Sequence, residues 1–232
     1  MIKKKLIFGT QCLGSYLNEK DSLSLLDQVY DFGIKKFDCA ERYPFPEKNE
    51  TFGLTEKIIG DWQKKNKVRK SILIDTKVTG RNFGEIKSVG GNRLIPKRII
   101  SAAEKSLKRL KTDYIDTFYI HWPDRFTNNF DRLYYSPGND PKFIPLEVQF
   151  DAILKLKKSG KIRNFGISNE SAWGLSKFQN LSRKNKIKLY SQEEYSLINR
   201  KVEIAMKEIF IRDNIKFNAY SPLGGGLLTG KY

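Results

Sequence analysis

The feature that most constrains this sequence is a regular alternation of short apolar runs with longer stretches of helical periodicity. The runs are predicted to be seven β-strands, at residues 5–9, 35–38, 71–78, 114–121, 162–168, 189–194 and 216–221. Between them the periodicity predicts six helices, near residues 21–32, 53–66, 96–110, 146–159, 171–184 and 201–213. Strands that alternate with helices along a chain form parallel sheets, so the predicted fold class is α/β, either a barrel or a doubly wound open sheet.

Boundary residues support several of these elements. Asp21 and Ser171 suit the start of a helix, Pro96 suits a first turn, and Gly160 suits a C-terminal end. Two longer connections interrupt the alternation, and long loops of this kind are usually functional or mobile. They lie at about residues 79–95 and 122–145.

The turn after the first strand argues against a dinucleotide-binding open sheet. Such a sheet carries the pattern G-x-G-x-x-G there, whereas this chain reads GTQCLGSY, with glycines only at Gly9 and Gly14. In a barrel, reactive side chains gather at the C-terminal ends of several strands. Polar or aromatic residues end six successive strands here, namely Asp38, Lys77, His121, Asn169, Gln192 and Tyr220. This pattern favours a (β/α)8 barrel.

Four side chains near these strand ends suit proton donation to a carbonyl oxygen. Each of three residues has a simpler explanation when it is considered alone. Tyr43 would be a turn tyrosine, Asp38 a capping or turn residue, and His121, the only histidine, a structural residue. Lys77 ends an apolar strand and needs a carboxylate partner, which Asp38 on the adjacent strand supplies. The neighbouring ammonium is expected to lower the pKa of Tyr43 from its usual value of about 10. The set has no nucleophile and no metal cluster, so hydride from a nicotinamide is the expected partner.

The later strand ends suit such a cofactor. Ser168, Asn169 and Gln192 are candidates for hydrogen bonds to a carboxamide, and Tyr220 is a candidate for stacking on a flat ring. The glycine-rich segment SPLGGGLLTGK follows, and its backbone N–H groups suit a pyrophosphate. The alternative interpretation of that segment, which its position after the last strand disfavours, is a flexible linker.

Composition bears on the class of partner and the compartment. The formal net charge is +17, which suits nucleic acid or a phosphate-bearing ligand. Lysine greatly outnumbers arginine and is spread over most predicted helices, so a compositional bias is the simpler explanation, and no nucleic-acid partner is predicted. No signal-peptide core is present, no apolar run approaches the roughly 18 residues of a membrane span, and Cys12 and Cys39 allow at most one disulfide. We expect a cytoplasmic protein without a membrane partner.

Seven strings of this sequence, taken together, resemble the aldo-keto reductases. They are FGTQCLG, FDCAERY, DTKV, SLKRLKTDYIDTFYIHWPD, GKIRNFGISN, SQEEYSLINR and AYSPLGGGLLTGKY, and they run in family order over nearly the whole chain. The stretch AERYPFP and the long segment after HWPD are most similar to the Tas-like branch, near the potassium-channel beta subunits.

The resemblance implies a TIM barrel that binds NADP(H) in extended form and reduces a small-molecule aldehyde or ketone to an alcohol. It implies a catalytic tetrad of Asp38, Tyr43, Lys77 and His121, with Tyr43 as the general acid. The cofactor-binding positions that it implies are Thr10, Asp38, Ser168, Asn169, Gln192, Tyr220, Ser221, Pro222, Leu223 and Gly225. No metal site is implied.

Two features depart from the family pattern. The chain begins directly at the first strand, without the small hairpin that usually precedes it, and it ends at Tyr232. Since eight βα units typically need about 250 residues, we expect a single aldo-keto reductase domain over residues 1–232 that is incomplete at its C-terminus. It should have about seven strands and six helices and lack the eighth strand. The family segment that holds the adenosine 2′-phosphate would also be missing, so NADPH and NADH are expected to bind with similar, weak affinity.

Two functions remain open on the sequence alone. The intact tetrad favours an NADPH-dependent carbonyl reductase. The incomplete cofactor site favours a non-catalytic homologue that senses cofactor or binds a partner, or an inactive truncated remnant. In either case, the open edges of the barrel are expected to favour self-association.

Overall fold

The computed structural model describes residues 5–82, 86–87, 90–128, 130, 134–136 and 142–232, and this part of the chain contains seven strands and seven α-helices. The strands are β1 (Phe8–Gly9), β2 (Lys36–Asp38), β3 (Leu73–Val78), β4 (Ile115–Ile120), β5 (Ile162–Ser168), β6 (Leu189–Glu194) and β7 (Lys216–Tyr220). The helices are α1 (Glu19–Asp31), α2 (Leu54–Asn66), α3 (Pro96–Leu110), α4 (Leu146–Lys158), α5 (Ala172–Lys184), α6 (Lys201–Ala205) and α7 (Lys207–Arg212). Parts of both long connections lie outside the described residues.

Three of the four boundary signals in the sequence are confirmed. Pro96 is the first residue of α3, where its missing N–H has no helical partner to lose. The side chain of Ser171 accepts a hydrogen bond from the backbone N–H of Gly174 and caps α5. Gly160, just beyond the end of α4, has φ 73°, a left-handed conformation that glycine adopts without strain.

The other boundaries differ from the prediction at two helices. Helix α1 begins at Glu19, because Asn18 rather than Asp21 supplies the capping oxygen; the Asn18 side chain accepts from the Asp21 backbone N–H at 2.9 Å. The single helix predicted at 201–213 is two short helices, because the backbone of Met206 leaves the helical region at φ −124° and ψ −20°. The first strand is also shorter than predicted, with two residues in the sheet.

The seven strands form one parallel sheet whose spatial order is the order of the sequence, from β1 to β7. The register sets Asp38 beside Asp75 and Ser168 beside Gln192. This arrangement confirms the predicted α/β barrel architecture with seven strands. Within the described residues, no strand pairs with the outer edge of β1 or of β7. No helix in that part of the chain combines the length and apolar character that crossing a membrane requires.

Successive residues of each strand face two different environments. Phe37 packs against Trp62 of α2 with ring centroids 5.3 Å apart. Phe165 packs in the same way against Phe150 of α4 and Phe178 of α5, at 5.7 Å and 5.5 Å. These rings lie between the sheet and its helices and are at most 2% exposed, so they supply a large part of the apolar burial that stabilises the fold. The residues that alternate with them point into the barrel.

The barrel interior holds a buried ion pair between β2 and β3. Lys36 Nζ is 2.8 Å from Asp75 Oδ2, and Asp75 is fully buried. Burial raises the pKa of Asp75 to about 6, although the charge of Lys36 acts in the opposite direction. A carboxyl whose pKa is higher in the folded chain than in the unfolded chain stabilises the fold at low pH. That contribution is lost as the pH rises from about 4 to about 6.

We expect Asp75→Asn to flatten this part of the pH dependence. The variant keeps the shape of the side chain but removes the titrating group. Between about pH 4 and pH 6.5, the parent should therefore lose about 1–3 kcal/mol more of its free energy of unfolding than the variant loses. Chemical denaturation at several pH values measures this. Asp61→Asn is the control, because Lys111 and Lys57 hold the pKa of that surface carboxyl below its usual value. Equal slopes for the parent and Asp75→Asn would contradict the prediction.

The side of the molecule near β7 carries an open strand edge and several exposed apolar side chains. Leu197, Ile204 and Ile211 are 82%, 89% and 70% exposed. Unpaired strand edges and exposed apolar patches both favour association with another chain. We propose that copies of the 232-residue chain associate through this side.

Size-exclusion chromatography with light scattering should therefore give a mass above that of the monomer, increasing with protein concentration. Replacing Ile204 and Ile211 together by lysine should shift the equilibrium toward the monomer, because like charges then face each other across the contact. Val148→Lys, on the exposed face of α4, is the matched control and should leave the mass distribution as it is. A parent chain that stays monomeric at all concentrations would refute this proposal.

Candidate active site

A cavity of about 640 Å³ lies at the C-terminal ends of the strands. Ten of the predicted site residues line it: Thr10, Asp38, Tyr43, His121, Ser168, Asn169, Gln192, Tyr220, Ser221 and Pro222. Lys77 lies beneath this lining and is 1% exposed. Leu223 and Gly225 do not line the cavity. The strand ends thus bring together residues that are up to 212 positions apart in the sequence, as the barrel register requires.

Lys77 and Asp38 form a close ion pair at the base of the cavity. Lys77 Nζ donates to both carboxylate oxygens of Asp38 at 2.8 Å, and to the backbone carbonyl of Cys39 at 2.7 Å. Burial alone lowers the pKa of Lys77, but the attraction of Asp38 and Tyr43 outweighs it and raises the pKa above its ordinary value. The lysine is therefore a fixed positive charge, held by Asp38 and by the Cys39 carbonyl.

The loop that follows β2 holds Tyr43 above this ammonium. Lys77 Nζ is 5.1 Å from the centroid of the Tyr43 ring. The loop is anchored on both sides: the backbone N–H of Phe45 donates to Gln11 O at 2.8 Å, and Glu41 accepts from the backbone N–H of Thr79 at 2.6 Å. This buried carboxylate also accepts from the guanidinium of Arg98 on α3. The position of the tyrosine is therefore fixed by neighbouring elements.

The net direction of the Tyr43 pKa shift differs from the sequence-based expectation. Burial raises the pKa of the Tyr43 hydroxyl, and the charge of Lys77, which lowers it, is the smaller effect. The reason is the enclosed position of the hydroxyl, which disfavours a phenolate. Tyr43 is consequently protonated at neutral pH, which is the form that donates a proton.

His121 also lines the cavity, close to Tyr43. Its ring centroid is 5.8 Å from that of Tyr43 and 4.9 Å from that of Trp122. Burial lowers the pKa of His121 well below its usual value, and the charges of Lys77 and Arg42 add to this effect. The imidazole is thus neutral at physiological pH and has one N–H to donate.

The predicted carboxamide-binding residues are not equally available. Ser168 Oγ donates to the backbone carbonyl of Gln192 at 2.7 Å, and Asn169 Nδ2 donates to the backbone carbonyl of His121 at 2.9 Å. Tyr220 donates its hydroxyl to Asn169 Oδ1 at 2.6 Å, so the Asn169 amide is used on both sides. The side-chain amide of Gln192 lines the cavity and makes no hydrogen bond to any residue that the structure describes. Of the three, Gln192 is ready to bind a ligand, whereas Ser168 and Asn169 mainly hold the wall together.

The glycine-rich segment after β7 is a compact turn. The backbone N–H of Gly224 donates to Ser221 O at 2.9 Å, and that of Gly226 donates to Leu223 O at 3.0 Å. Two of the N–H groups that were expected to face a pyrophosphate are therefore used within the segment. Gly225 has φ 64° and lies in open space, so this part of the turn is accessible to a ligand.

Sequence reasoning missed one wall of the cavity, which the loops after β2, β3 and β4 form. Its main side chains are Arg42, Glu47, Arg81, Trp122, Arg125 and Phe126. Trp122 Nε1 donates to Arg81 O at 2.8 Å, and a Cβ atom at Gly80 would be only 2.0 Å from the backbone oxygen of Trp122, so the two loops meet at a glycine. Most of these residues follow a predicted strand end within a few positions, which is the signal that marks them.

Comparisons with known proteins identify the family of this chain. A family model described as the aldo/keto reductase family matches residues 5–232. The chain belongs to the aldo/keto reductase family. The resemblance found in the sequence strings is thereby confirmed over nearly the whole chain.

Individual relatives place the chain within the family. Protein tas of Escherichia coli (strain K12) is 38% identical over 227 residues, covering 97% of this chain and 66% of that protein. Aflatoxin B1 aldehyde reductase member 4 of Homo sapiens is 34% identical over 144 residues, covering 61% of this chain and 38% of that protein. These matches confirm the likeness to the Tas-like branch. The chain thus spans just under two thirds of the length of Protein tas.

A solved aldo-keto reductase has the same fold. The structure of the thermostable aldo-keto reductase Tm1743 in complex with the inhibitor epalrestat is 27% identical and superposes with a TM-score of 0.74. The match covers 98% of this chain and 71% of that one. The described strands therefore correspond to a large part of an aldo-keto reductase barrel.

Proposed function

We propose that this aldo-keto reductase chain carries the catalytic site of an NADPH-dependent reductase that converts an aldehyde or ketone to an alcohol, with Tyr43 as the general acid. The observation that carries the proposal is the arrangement of Lys77, which binds Asp38 at 2.8 Å and lies 5.1 Å from the Tyr43 ring beneath an open cavity. A buried ammonium in that position stabilises negative charge as it develops on the tyrosine oxygen.

Each residue of the tetrad has a separate task in this proposal. Tyr43 gives its proton to the carbonyl oxygen as the carbonyl carbon is reduced, and Lys77 stabilises the phenolate that remains. Asp38 keeps Lys77 charged and in place. Neutral His121 donates a hydrogen bond to the same carbonyl oxygen and so fixes its position beside Tyr43.

The cavity fits a nicotinamide cofactor at two points. The side-chain amide of Gln192, which has no hydrogen bond to the described residues, matches a carboxamide in hydrogen bonding, and the ring of Tyr220 borders the cavity while its hydroxyl donates to Asn169. Thr10 and Asp38 border the same cavity, and Ser221 and Pro222 continue it toward the glycine-rich turn. When bound, such a cofactor supplies the hydride, and hence both electrons, for the reduction of the carbonyl carbon. The similar, weak affinities for NADPH and NADH and the cytoplasmic location remain predictions from the sequence.

Titration with NADPH, followed by nicotinamide fluorescence, combined with an assay of 4-nitrobenzaldehyde reduction tests the proposal. Saturable binding together with NADPH-dependent formation of the alcohol is the expected result. Saturable binding without turnover of a panel of aldehydes and ketones would favour the alternative, a homologue that senses the cofactor without catalysis. Absence of both would refute a cofactor-dependent role for this chain.

A further inference from the structure

Arg42 occupies an unusual position in the cavity wall next to the tetrad. Its side chain is 7% exposed, and the guanidinium, which has five N–H donors, makes no hydrogen bond to any residue that the structure describes. The nearest carboxylate is that of Glu47, whose Oε1 is 3.3 Å from Arg42 Nε without the alignment of a hydrogen bond. Nε is fully buried without a hydrogen-bond partner among the described residues, whereas the two terminal nitrogens reach the surface of the cavity, where an anion would meet them.

Arg42 is one of three arginines in this wall of the cavity. Arg81 also lines the cavity, with its guanidinium carbon 4.9 Å from the centroid of the Phe126 ring. The third arginine of the wall, Arg125, donates to Glu170 and to Ser171 Oγ, so its charge is largely balanced within the protein. Glu47 is the carboxylate that opposes Arg42, and it is itself 28% exposed at the cavity edge. An anionic group of a ligand could take over the role of Glu47 there with better geometry.

The distance from Arg42 to the tetrad limits the size of the ligand. The ring of Trp122 neighbours both, with its centroid 5.0 Å from the Arg42 guanidinium carbon and 4.9 Å from the centroid of the His121 ring. The Arg42 guanidinium carbon and the His121 ring are therefore at most about 10 Å apart, so a small ligand can reach both. Trp122 offers an apolar surface for the atoms between.

We infer that the carbonyl substrate of this site carries a carboxylate or a similar compact anion, and that Arg42 binds this group while Tyr43 and His121 bind the carbonyl. The inference rests on the reductase function proposed above, and it names Arg42 as a residue that determines specificity. A bidentate contact of a guanidinium with a carboxylate fixes the orientation of the substrate and adds binding energy.

Two aldehydes of nearly equal shape test this, 4-carboxybenzaldehyde and the uncharged 4-nitrobenzaldehyde. We expect Arg42→Met to lower the ratio of kcat/KM for the first to kcat/KM for the second by about 10- to 100-fold, the usual effect of hydrogen bonds to a charged group. Because both aldehydes are reduced at the same site, an indirect effect of the substitution on His121 changes kcat/KM for both and cancels in the ratio. Arg42→Lys should retain part of the preference, and Glu47→Gln should increase it, because a competing anion is removed.

Arg212→Met is the matched control, because Arg212 is an exposed arginine on α7 that pairs with Glu208. It should leave the ratio as it is. Calorimetric titration of the two aldehydes makes the test independent of turnover. Suppose that the parent binds 4-carboxybenzaldehyde more tightly than 4-nitrobenzaldehyde, that Arg42→Met lacks this preference, and that neither protein reduces the aldehydes. This result would support the anion site at Arg42 and refute the reductase function. Turnover with an unchanged ratio in Arg42→Met would refute the inference alone, and absence of both turnover and a binding preference would refute both.

Discussion

Tyr43→Phe is expected to reduce the rate of aldehyde reduction by about 10²–10⁴-fold, the usual contribution of general acid catalysis. The substitution removes only the hydroxyl and leaves the ring that lies 5.8 Å from His121 and 5.1 Å from Lys77 Nζ. NADPH affinity should change little, because the residues proposed to bind the nicotinamide are on β5, β6 and β7. Steady-state kinetics and a fluorescence titration on the same preparation measure both quantities.

Tyr16→Phe is the control for this variant, since Tyr16 is 72% exposed on the surface and the substitution removes the same hydroxyl. Its turnover should equal that of the parent. Near-normal turnover in Tyr43→Phe would show that another group donates the proton, and the assignment of the general acid would then be wrong.

Lys77→Met is expected to have the largest effect on stability. The side chain of Lys77 is 1% exposed and that of Asp38 is 11% exposed, so the substitution leaves a buried carboxylate without its partner. Breaking a buried ion pair in this way typically costs about 3–5 kcal/mol in the free energy of unfolding. The pKa of Tyr43 should rise further without the nearby ammonium, and so the alkaline limit of the reduction should move to higher pH.

Chemical denaturation of three variants separates the ion pair from other effects of Lys77→Met. Combining Lys77→Met with Asp38→Asn should recover part of the lost stability, because the unpaired charge is then absent. Lys57→Met breaks an exposed pair with Asp61 and should cost at most about 1 kcal/mol. An unchanged denaturation midpoint and an unchanged pH profile in Lys77→Met would mean that the pair has neither role.

The positions of the tetrad were predictable from the sequence because a parallel barrel imposes simple geometric rules. Each strand places alternate residues inward, and its C-terminal end faces the cavity. Asp38, Lys77 and His121 lie near the C-terminal ends of neighbouring strands, so the positions of the strands predict that these three residues are close together. The helices were predictable where apolar periodicity and a capping residue agreed, as at Ser171.

Other features depend on three-dimensional surroundings that local sequence does not encode. The raised pKa of Tyr43 results from competition between burial and the Lys77 charge, and only the structure gives the relative size of the two effects. The hydrogen bonds that occupy Ser168 and Asn169 come from partners up to 51 residues away. The break at Met206 likewise lies within a stretch whose periodicity predicts one continuous helix.

In β2 and β3, successive side chains alternate between the helices and the cavity. This alternation limits where the chain can accept an insertion or a deletion. In β2, Phe37 faces the helices and Asp38 faces the cavity. In β3, Thr76 donates to Glu56 on α2 at 2.5 Å, and the next residue, Lys77, pairs with Asp38 beneath the cavity. Inserting or deleting one residue in either strand would exchange the two faces, turning the aromatic ring inward and the charged groups toward the helices. The packing of the helices and the placement of the proposed catalytic residues therefore depend on the same alternation, so a change of one residue in length is expected to be tolerated better in the loops than in these strands.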